Sequence, residues 1–418
     1  MQKRKRSKTT SAKLVDSAIT IVAEEGLSCL SHRRLAQVSN CSLALTTYYF
    51  PKKTDIVAAL CQSMLQGYLH AFDNSYDKFQ LGEDLPSNMW AFCVRVICST
   101  VGENSSRGMA WAEIYLDGNR RKESEALVTS WVIQMLSAFR KVASVVEPDL
   151  NDKQLQCRVD MVIGVSFIAL ALGLSTEQIR SVLIGGQNPL MTWKPTDTVK
   201  SVSIEPTTKP TRSSKSVQTE AHILNAAINV IVKDGASGLT YARLAAETGL
   251  AGTAPSYYYP SISVLLERAQ IALFDAFKER YQEITAPAYS QVVSMEQLTD
   301  LTAFMLQREV QLFGNENLAL YQLWIEAERR IELREMIWNS IVNQINAWDS
   351  LYEDVLGTKN TNAGTLSYSL VIGKLIRLLS AGGLASELVS VRSEFAAVFS
   401  EFEKEVFPSK SNFPRNDL

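Results

Sequence analysis

Apolar residues recur at helical spacing in two stretches of the chain that share one pattern. The two stripes consist of Leu14, Ala18, Ile21 and Val22, and of Ile223, Ala227, Val230 and Ile231. A glycine follows each stripe, at Gly26 and Gly235, where a helix is expected to end. No segment shows sustained alternation of apolar and polar residues, so the pattern predicts an all-α fold.

The similarity between the two stretches extends along the whole chain of 418 residues at a constant offset of 209. Over residues 14–51, eleven of 38 positions are identical to the positions 209 residues later. Further downstream, Arg120 matches Arg329 and Gly164 matches Gly373. A chance match would not keep one offset across the repeat. The sequence therefore predicts two copies of one fold, each with about 190 ordered residues.

Two short helices are predicted in the segment that follows the first stripe. Ser31 suits the N-cap of a helix over 32–38, and Ser42 suits the N-cap of a helix over 43–49. The intervening residues 39–41 form a tight turn. Two short helices joined by about three residues are typical of a helix-turn-helix, whose second helix can enter the major groove of DNA.

The segment "SHRRLAQVSNCSLALTTYYFPKKTDIV", residues 31–57, resembles the DNA-binding domain of TetR-family transcriptional regulators. The residues that carry the resemblance are the cap Ser31, the pair Leu35 and Ala36, Asn40 in the position of the turn glycine, Ser42 to Thr47, the pair Tyr49 and Phe50, and Lys53. The resemblance covers both repeats in outline and is weaker in their C-terminal parts. It implies a transcriptional repressor that a small apolar effector releases, with a helical ligand-binding and dimerisation domain after each helix-turn-helix.

The repeat and the resemblance together predict four domains around a junction rich in Pro, Thr, Ser and Lys. The boundaries are 1–60 for helix-turn-helix domain 1, 61–186 for helical domain 1, 187–216 for the linker, 217–269 for an altered helix-turn-helix domain 2, and 270–408 for helical domain 2. A flexible chain of about 30 residues spans about 30 Å, so the two copies can dock side by side. We expect the apolar segments 161–173 and 370–382 to pair, giving a monomer that acts as a pseudo-dimer on a pseudo-palindromic site in double-stranded DNA.

Hydroxyl-bearing side chains on the second helix suit contacts to phosphate oxygens and groove edges. The residues predicted to contact DNA are His32, Arg33, Ser42, Leu43, Thr46, Thr47, Tyr48, Tyr49 and Lys53 in the first copy, and Tyr241, Thr253, Ser256, Tyr257 and Tyr258 in the second. Leu45 and Phe50 are expected in the core. For Arg34 and its counterpart Arg243, a DNA contact and a structural salt bridge remain equally open.

Charge is distributed unequally between the two predicted DNA-binding domains, although the whole chain has a net charge of only −2. Residues 1–55 contain ten Lys or Arg against four Asp or Glu, and half of these cations lie in an arm over 3–8 that either reaches DNA or is a solvated tail. Residues 210–264 contain four against three. Pro255 also falls within the second recognition helix, which leaves Thr253 as a late N-cap. The second domain is therefore predicted to have altered or weakened DNA binding.

Aromatic residues at helical spacing follow each helix-turn-helix. Those predicted to line an effector site are Trp111, Tyr115 and Trp131 in the first copy, and Trp324 and Trp338 in the second. Because aromatic residues at this spacing are common in ordinary cores, core packing is the alternative. The effector site itself is implied by the family resemblance.

The sequence offers little support for other classes of function. Its three histidines lack metal-ligand spacing, and no nucleophile or phosphate-binding motif occurs, so no enzyme activity, metal or cofactor is expected. Six cysteines without a C-x-x-C pair are typical of reduced thiols in a cytoplasmic protein, with a redox sensor as the alternative. No targeting segment is expected, and the most apolar run, 161–174, is too short to predict a membrane span. The main rival is an interaction or effector-binding protein of the same fold that does not bind DNA.

Overall fold

α-Helices form nearly all of the regular secondary structure in the part of the chain that the structure describes. The computed structural model describes residues 2–184, 190, 214–285, 294–357, 362–382 and 384–403, apart from the side chains of 2–9, 103, 284, 285, 384–386 and 403. No β-strand occurs in these ranges, which confirms the predicted all-α fold. Most of the predicted linker and the basic side chains of residues 3–8 lie outside the described residues.

The helices follow one another with mostly short connections. Before the junction they are α1 Gln2–Glu25, α2 His32–Ser39, α3 Leu43–Tyr49, α4 Lys53–Gln80, α5 Met89–Cys98, α6 Ser105–Asp117, α7 Lys122–Val146, α8 Asp152–Leu172 and α9 Thr176–Ile184. After it they are α10 Ser214–Asp234, α11 Tyr241–Thr248, α12 Ala254–Tyr258, α13 Ile262–Thr285, α14 Met295–Leu312, α15 Gly314–Glu326, α16 Arg334–Leu356, α17 Ala363–Ser380 and α18 Leu384–Glu403.

Several helix ends recur at the offset of 209 residues. α1 ends at Glu25 and α10 at Asp234, while α4 begins at Lys53 and α13 at Ile262. The ends of α3 and α12 are also 209 residues apart, as are the ends of α6 and α15. Both halves of the chain therefore begin or end several of their helices at equivalent positions, even where the residues differ.

Local capping explains the helices α2 and α3. The side-chain oxygens of Ser31 and Ser42 accept hydrogen bonds from the backbone N–H groups three residues later, at 3.1 and 3.2 Å. Each such cap contributes about 1 kcal/mol to helix stability. Between the helices, Asn40 adopts a left-handed conformation with φ 52°, as a turn glycine would. The predicted spans are confirmed, except that α2 continues for one more residue.

In the second half, α11 resembles its equivalent α2, whereas α12 differs from its equivalent α3. Thr240 caps α11 with a 3.1 Å hydrogen bond, and Gly249 ends it with φ +66°. α12 begins later than α3 because Ala251 replaces the capping serine and Pro255 must lie in a first turn. Thr253 occupies the N-cap position as predicted, but its side chain makes no capping hydrogen bond.

The two halves meet where α8 crosses α17, the pair predicted from the segments 161–173 and 370–382. The helices approach so closely that a Cβ atom on Gly164 would lie 1.9 Å from the carbonyl oxygen of Ser369. A Cβ atom on Gly373 would lie 1.7 Å from the carbonyl oxygen of Asp160. These two contacts are equivalent, because each residue of one contact lies 209 positions from a residue of the other.

Buried charges link α8 to α17 and α18 beside this crossing. The Asp160 carboxylate accepts hydrogen bonds from Lys374 and Arg377, both at 2.6 Å, and Lys374 and Arg377 also pair with Glu394 and Glu387. Asp160 and Lys374 are completely buried. Burial alone would raise the pKa of Asp160, but the charges of Arg377 and Lys374 outweigh it and lower the pKa below its ordinary value.

Acid should weaken this ion cluster. Because the pKa of Asp160 is lower in the folded state, its ionised form stabilises the fold above the ordinary pKa of about 3.9, and this contribution is lost as the pH falls through the folded-state value. Asp160→Asn removes the titrating group. The difference in unfolding free energy between the native protein and this variant should therefore shrink between about pH 7 and about pH 3, as measured by urea denaturation. A difference that stays constant over this range would contradict the assignment.

One helix in the described residues, α8, is long and apolar enough to cross a membrane by length and composition. Of its most apolar window, 94% is buried inside the protein, where it packs against α17 and α18. The predicted apolar run 161–174 is therefore a core segment in this structure.

Candidate nucleic-acid interface and ligand cavity

The helix α3 presents a mixed polar and apolar surface to solvent. Tyr48 is 78% exposed and Leu43 is 52% exposed, and Ser42 and Thr47 are also exposed. The Tyr48 ring lies edge-on to the half-buried Tyr49 ring at a centroid distance of 5.3 Å, which supports the orientation of the outer ring. Five predicted DNA-contacting residues, counting the exposed Arg33 on α2, are thus available to a partner in this domain.

Two other predicted contacts are buried or partly buried. Thr46 is completely buried, and its hydroxyl donates to the carbonyl oxygen of Leu43 at 2.8 Å. Both ring nitrogens of His32 are also buried and have no hydrogen-bond partner among the described residues. The hydroxyl of Thr46 suggested a DNA contact, but the helical period turns it towards the core together with Phe50. We therefore leave Thr46 and His32 out of the contact set.

Lys53, predicted to approach the DNA backbone, is bound within the protein. Its ammonium group donates to the carbonyl oxygens of Leu27 and Ser28 at 2.9 and 3.4 Å, which ties the start of α4 to the turn after α1. Burial lowers the pKa of this ammonium group. The adjacent Lys52, which the sequence argument passed over, is exposed. Two adjacent lysines look alike in the sequence, so no sequence signal distinguished Lys52 from Lys53.

Arg34 and Arg243 form salt bridges, one of the two roles expected for them. The Arg34 guanidinium binds Glu25 through contacts of 2.6 to 3.0 Å. Arg243 binds Asp234 at 3.2 Å, and Asp234 is the equivalent of Glu25. Both arginines therefore fasten their helix to the end of the preceding long helix.

The second helix-turn-helix keeps the exposed tyrosine pair, but one of its other predicted DNA contacts is bound within the domain. Tyr257 is 75% exposed and lies 5.3 Å from the Tyr258 ring at an interplanar angle of 87°, which reproduces the pair in the first half. Ser256 and Thr253 are also exposed. Tyr241, a predicted contact, instead donates its hydroxyl to the carbonyl oxygen of Tyr259 at 2.7 Å, so that hydroxyl is already bound inside the domain.

A cavity of about 60 Å³ lies among α4, α5, α6, α7 and α8 of the first half. The three aromatic residues predicted for an effector site, Trp111, Tyr115 and Trp131, all line it. A second space of about 10 Å³ borders the same three side chains. Sites for drug-sized ligands measure roughly 300–1,000 Å³, so a ligand of that size would have to open this cavity.

The cavity wall is apolar except at a few hydroxyl groups. Tyr68 donates its hydroxyl to the hydroxyl oxygen of Thr100 at 3.1 Å, and Thr100 donates to the carbonyl oxygen of Val96 at 2.8 Å. Burial raises the pKa of Tyr68 and of Tyr115, so both phenols stay protonated. Such a wall suits an apolar molecule that carries one polar group.

The two aromatic residues predicted for the second effector site have different surroundings. Trp324 is 1% exposed and lies edge-on to Tyr321 at 5.3 Å, in the packed core. Trp338 donates its indole N–H to the carbonyl oxygen of Leu190 at 2.8 Å. Leu190 belongs to the predicted linker and is itself buried. Trp338 therefore fastens part of the junction to the second half, a contact that the sequence could not indicate.

Among the residues that the structure describes, the cysteines and acidic residues form no other evident site. All six cysteines are free, and burial raises the pKa of the Cys61 thiol to about 11 and that of Cys93 to about 12, which keeps both unreactive near neutral pH. Within the described ranges, no group of three or more His, Cys, Asp or Glu residues is arranged to hold a metal ion.

Comparison with known proteins adds no identification: no family model matches the chain, and no curated protein matches it significantly. The class that the fold defines, over the residues described, is an all-α protein.

Proposed function

We propose that the protein is a DNA-binding transcriptional regulator built from two TetR-like units in one chain. The helix-turn-helix segments supply two potential reading surfaces, here called head 1 (residues 10–52) and head 2 (residues 219–261). Support comes from the recurring helix ends and from the paired glycine contacts at the crossing of α8 and α17. Contacts that repeat with their partners exchanged are typical of a twofold interface.

The proposal rests mainly on the direct contact between the two heads. The hydroxyl groups of Ser28 and Ser237 are 2.7 Å apart, and these two residues are equivalent in the repeat. A residue that meets its own equivalent lies on a twofold axis, as in a symmetric dimer. Two helix-turn-helix units related in this way suit a pseudo-palindromic site with half-sites one helical turn, about 34 Å, apart.

The two half-sites should not contribute equally. Head 1 has Arg33 and Lys52 exposed, whereas the equivalent residues of head 2 are the uncharged Ala242 and Ser261. Cations that neutralise phosphates provide much of the affinity of proteins for DNA. We propose that head 1 supplies most of the electrostatic binding and that the operator is read unequally.

An apolar effector is the second part of the proposal. The cavity bordered by Trp111, Tyr115 and Trp131 supports it, and repression with release by the effector follows from the family resemblance. Release requires that the effector bind the non-DNA-binding conformation more tightly.

Salt dependence tests the DNA-binding proposal. Binding sites would first be selected from random duplex DNA, and affinity would then be measured by fluorescence anisotropy at several salt concentrations. The double variant Arg33→Ala with Lys52→Ala should flatten the slope of log K against log salt by up to about two, since each lost phosphate contact removes nearly one unit.

The matched variant in head 2, Ala242→Ser with Ser261→Ala, should leave the slope unchanged. Absence of any salt-dependent DNA binding would favour the rival function. In that case the exposed Tyr257 and the weakly charged head 2 would point to a protein-interaction module of the same fold.

A further inference from the structure

Each half of the chain holds the first long helix of the other half through one buried arginine. Arg329, just after α15, donates to the carbonyl oxygens of Ala23 and Val22 in the last turn of α1, both at 2.9 Å. Its remaining donors bind Glu113 at 2.7 Å and Glu326 at 2.9 Å. The side chain is only 10% exposed. Head 1 is therefore fastened to the body of the second half.

Arg120, just after α6, makes the equivalent contact in the opposite direction. It donates to the carbonyl oxygens of Val232 and Ile231 in the last turn of α10, at 2.6 and 3.1 Å. Both the donors and the acceptors lie 209 residues from those of the other contact. Head 2 is therefore fastened to the body of the first half.

Both arginines bind at the C-terminal end of a helix, where a cation is favoured. The last carbonyl groups of a helix lack intrahelical partners and form the negative end of the helix dipole, which favours a cation there. A buried guanidinium group, in turn, must keep its donors satisfied. The Val22 and Ile231 carbonyls also accept the backbone N–H groups of Gly26 and Gly235, at 3.1 and 2.9 Å. Loss of an arginine would therefore leave the other carbonyl of its pair, Ala23 or Val232, without this donor, so each arginine holds its helix end in one place.

The two arginines differ in the carboxylate groups that lie beside them. Glu113, which binds Arg329, is replaced at the equivalent position by the neutral Gln322. Burial alone would lower the pKa of Arg329, but Glu113 and Glu326 outweigh it and raise the pKa. For Arg120, burial prevails and lowers the pKa, with Asp117 3.9 Å away. The arginine that holds head 1 therefore has more and closer acidic partners than the arginine that holds head 2.

We propose that Arg120 and Arg329 are positioning residues that act crosswise, so that the body of each half fixes the head of the other. Together with the contact between Ser28 and Ser237, they set the relative placement of the two reading surfaces. The positioning role is a property of the free protein. Its consequence for DNA rests on the function proposed above.

Hydrogen exchange of the full-length, DNA-free protein tests the crosswise arrangement. Arg329→Gln should accelerate amide exchange by roughly tenfold in the last turn of α1 and in α2 and α3, since a hydrogen bond to a charged group is lost. Arg120→Gln should do so by a smaller factor in α10, α11 and α12. Acceleration confined to the half that carries the substitution would overturn the proposal.

Arg121→Gln is the matched control, because Arg121 pairs with Asp117 of its own half at 3.2 Å. It should leave exchange in head 2 unchanged. If Arg329→Gln does not fold, Arg329→Lys keeps the charge but cannot donate to both carbonyls in the same geometry, and it should accelerate exchange in head 1 by a smaller factor. Exchange in head 1 equal to that of the native protein would overturn the proposal in this variant too.

DNA footprinting separates this inference from the proposed function. Arg329→Gln should weaken protection of the half-site read by head 1, and Arg120→Gln that of the other half-site. If the exchange pattern is crosswise but no DNA is bound, the positioning role stands and the proposed function fails. If DNA is bound but each substitution affects only its own half, the proposed function stands and the crosswise role fails.

Discussion

Gly164→Ala is expected to destabilise the protein by about 3 kcal/mol, the upper end of the usual cost of overpacking, because backbone must move to admit the methyl group. The added methyl group would lie 1.9 Å from the carbonyl oxygen of Ser369, so α8 and α17 would have to separate. Separation would also disturb the buried contacts of Asp160 with Lys374 and Arg377 nearby. Urea denaturation followed by circular dichroism would measure the loss. Gly373→Ala should have a similar effect, since its methyl group would lie 1.7 Å from the carbonyl oxygen of Asp160.

Gly67→Ala provides the control within a helix. Gly67 lies in α4, and the nearest atom to its added methyl group would be the Arg107 guanidinium nitrogen, 3.8 Å away. Alanine favours a helix over glycine by roughly 0.5–1 kcal/mol, so this variant should be as stable as the native protein or slightly more stable. Native-like stability of Gly164→Ala would mean that the two helices do not cross as closely as the structure has them.

The double variant Thr47→Ala with Tyr48→Ala in head 1 should reduce affinity for the selected DNA site by about 100-fold. Both residues are exposed on α3, and each lost contact to DNA is worth about 1–3 kcal/mol. Because exposed substitutions usually change stability by less than about 0.5 kcal/mol, the loss should appear in binding and not in folding. Anisotropy titrations at one fixed salt concentration, with thermal melting as a check, would measure it.

The repeat offers a matched pair in head 2. Ser256→Ala with Tyr257→Ala changes nearly the same side chains on α12, which is shorter and has no exposed cation at the equivalents of Arg33 and Lys52. We expect this variant to lose less than tenfold in affinity. Equal losses in the two variants would contradict unequal reading of the site, and no loss in either would remove both surfaces from the DNA interface.

Prediction from the sequence succeeded where the cause is local. The spacing of apolar residues, the serine caps and the turn at Asn40 are properties of short segments, and α2 and α3 begin where Ser31 and Ser42 indicate. The late start of α12 in head 2 could also be predicted, because Pro255 restricts the backbone wherever it occurs. The TetR resemblance and the DNA and effector partners remain predictions for the experiments above.

Prediction from residue type alone was less successful for individual contacts. The hydroxyl of Thr46 and the ammonium group of Lys53 suggested DNA contacts, but one is buried and the other binds two backbone carbonyl groups. The hydroxyl of Tyr241 likewise binds within its own domain. A polar group looks the same in the sequence whether it is satisfied by the protein or available to a partner. Only the surrounding packing distinguishes the two cases.

The sequence by itself determined the all-α fold, the repeat and the helix ends, because helical period, capping and glycine conformations depend on neighbours along the chain. The tertiary structure alone decided which residues 209 positions apart meet across the halves. Arg120 and Arg329 were visible as repeated residues, but their acceptors are carbonyl groups more than 100 residues away, which no side-chain pattern records. Backbone carbonyl groups are common to every residue, so contacts of this kind become apparent only when the chain is folded.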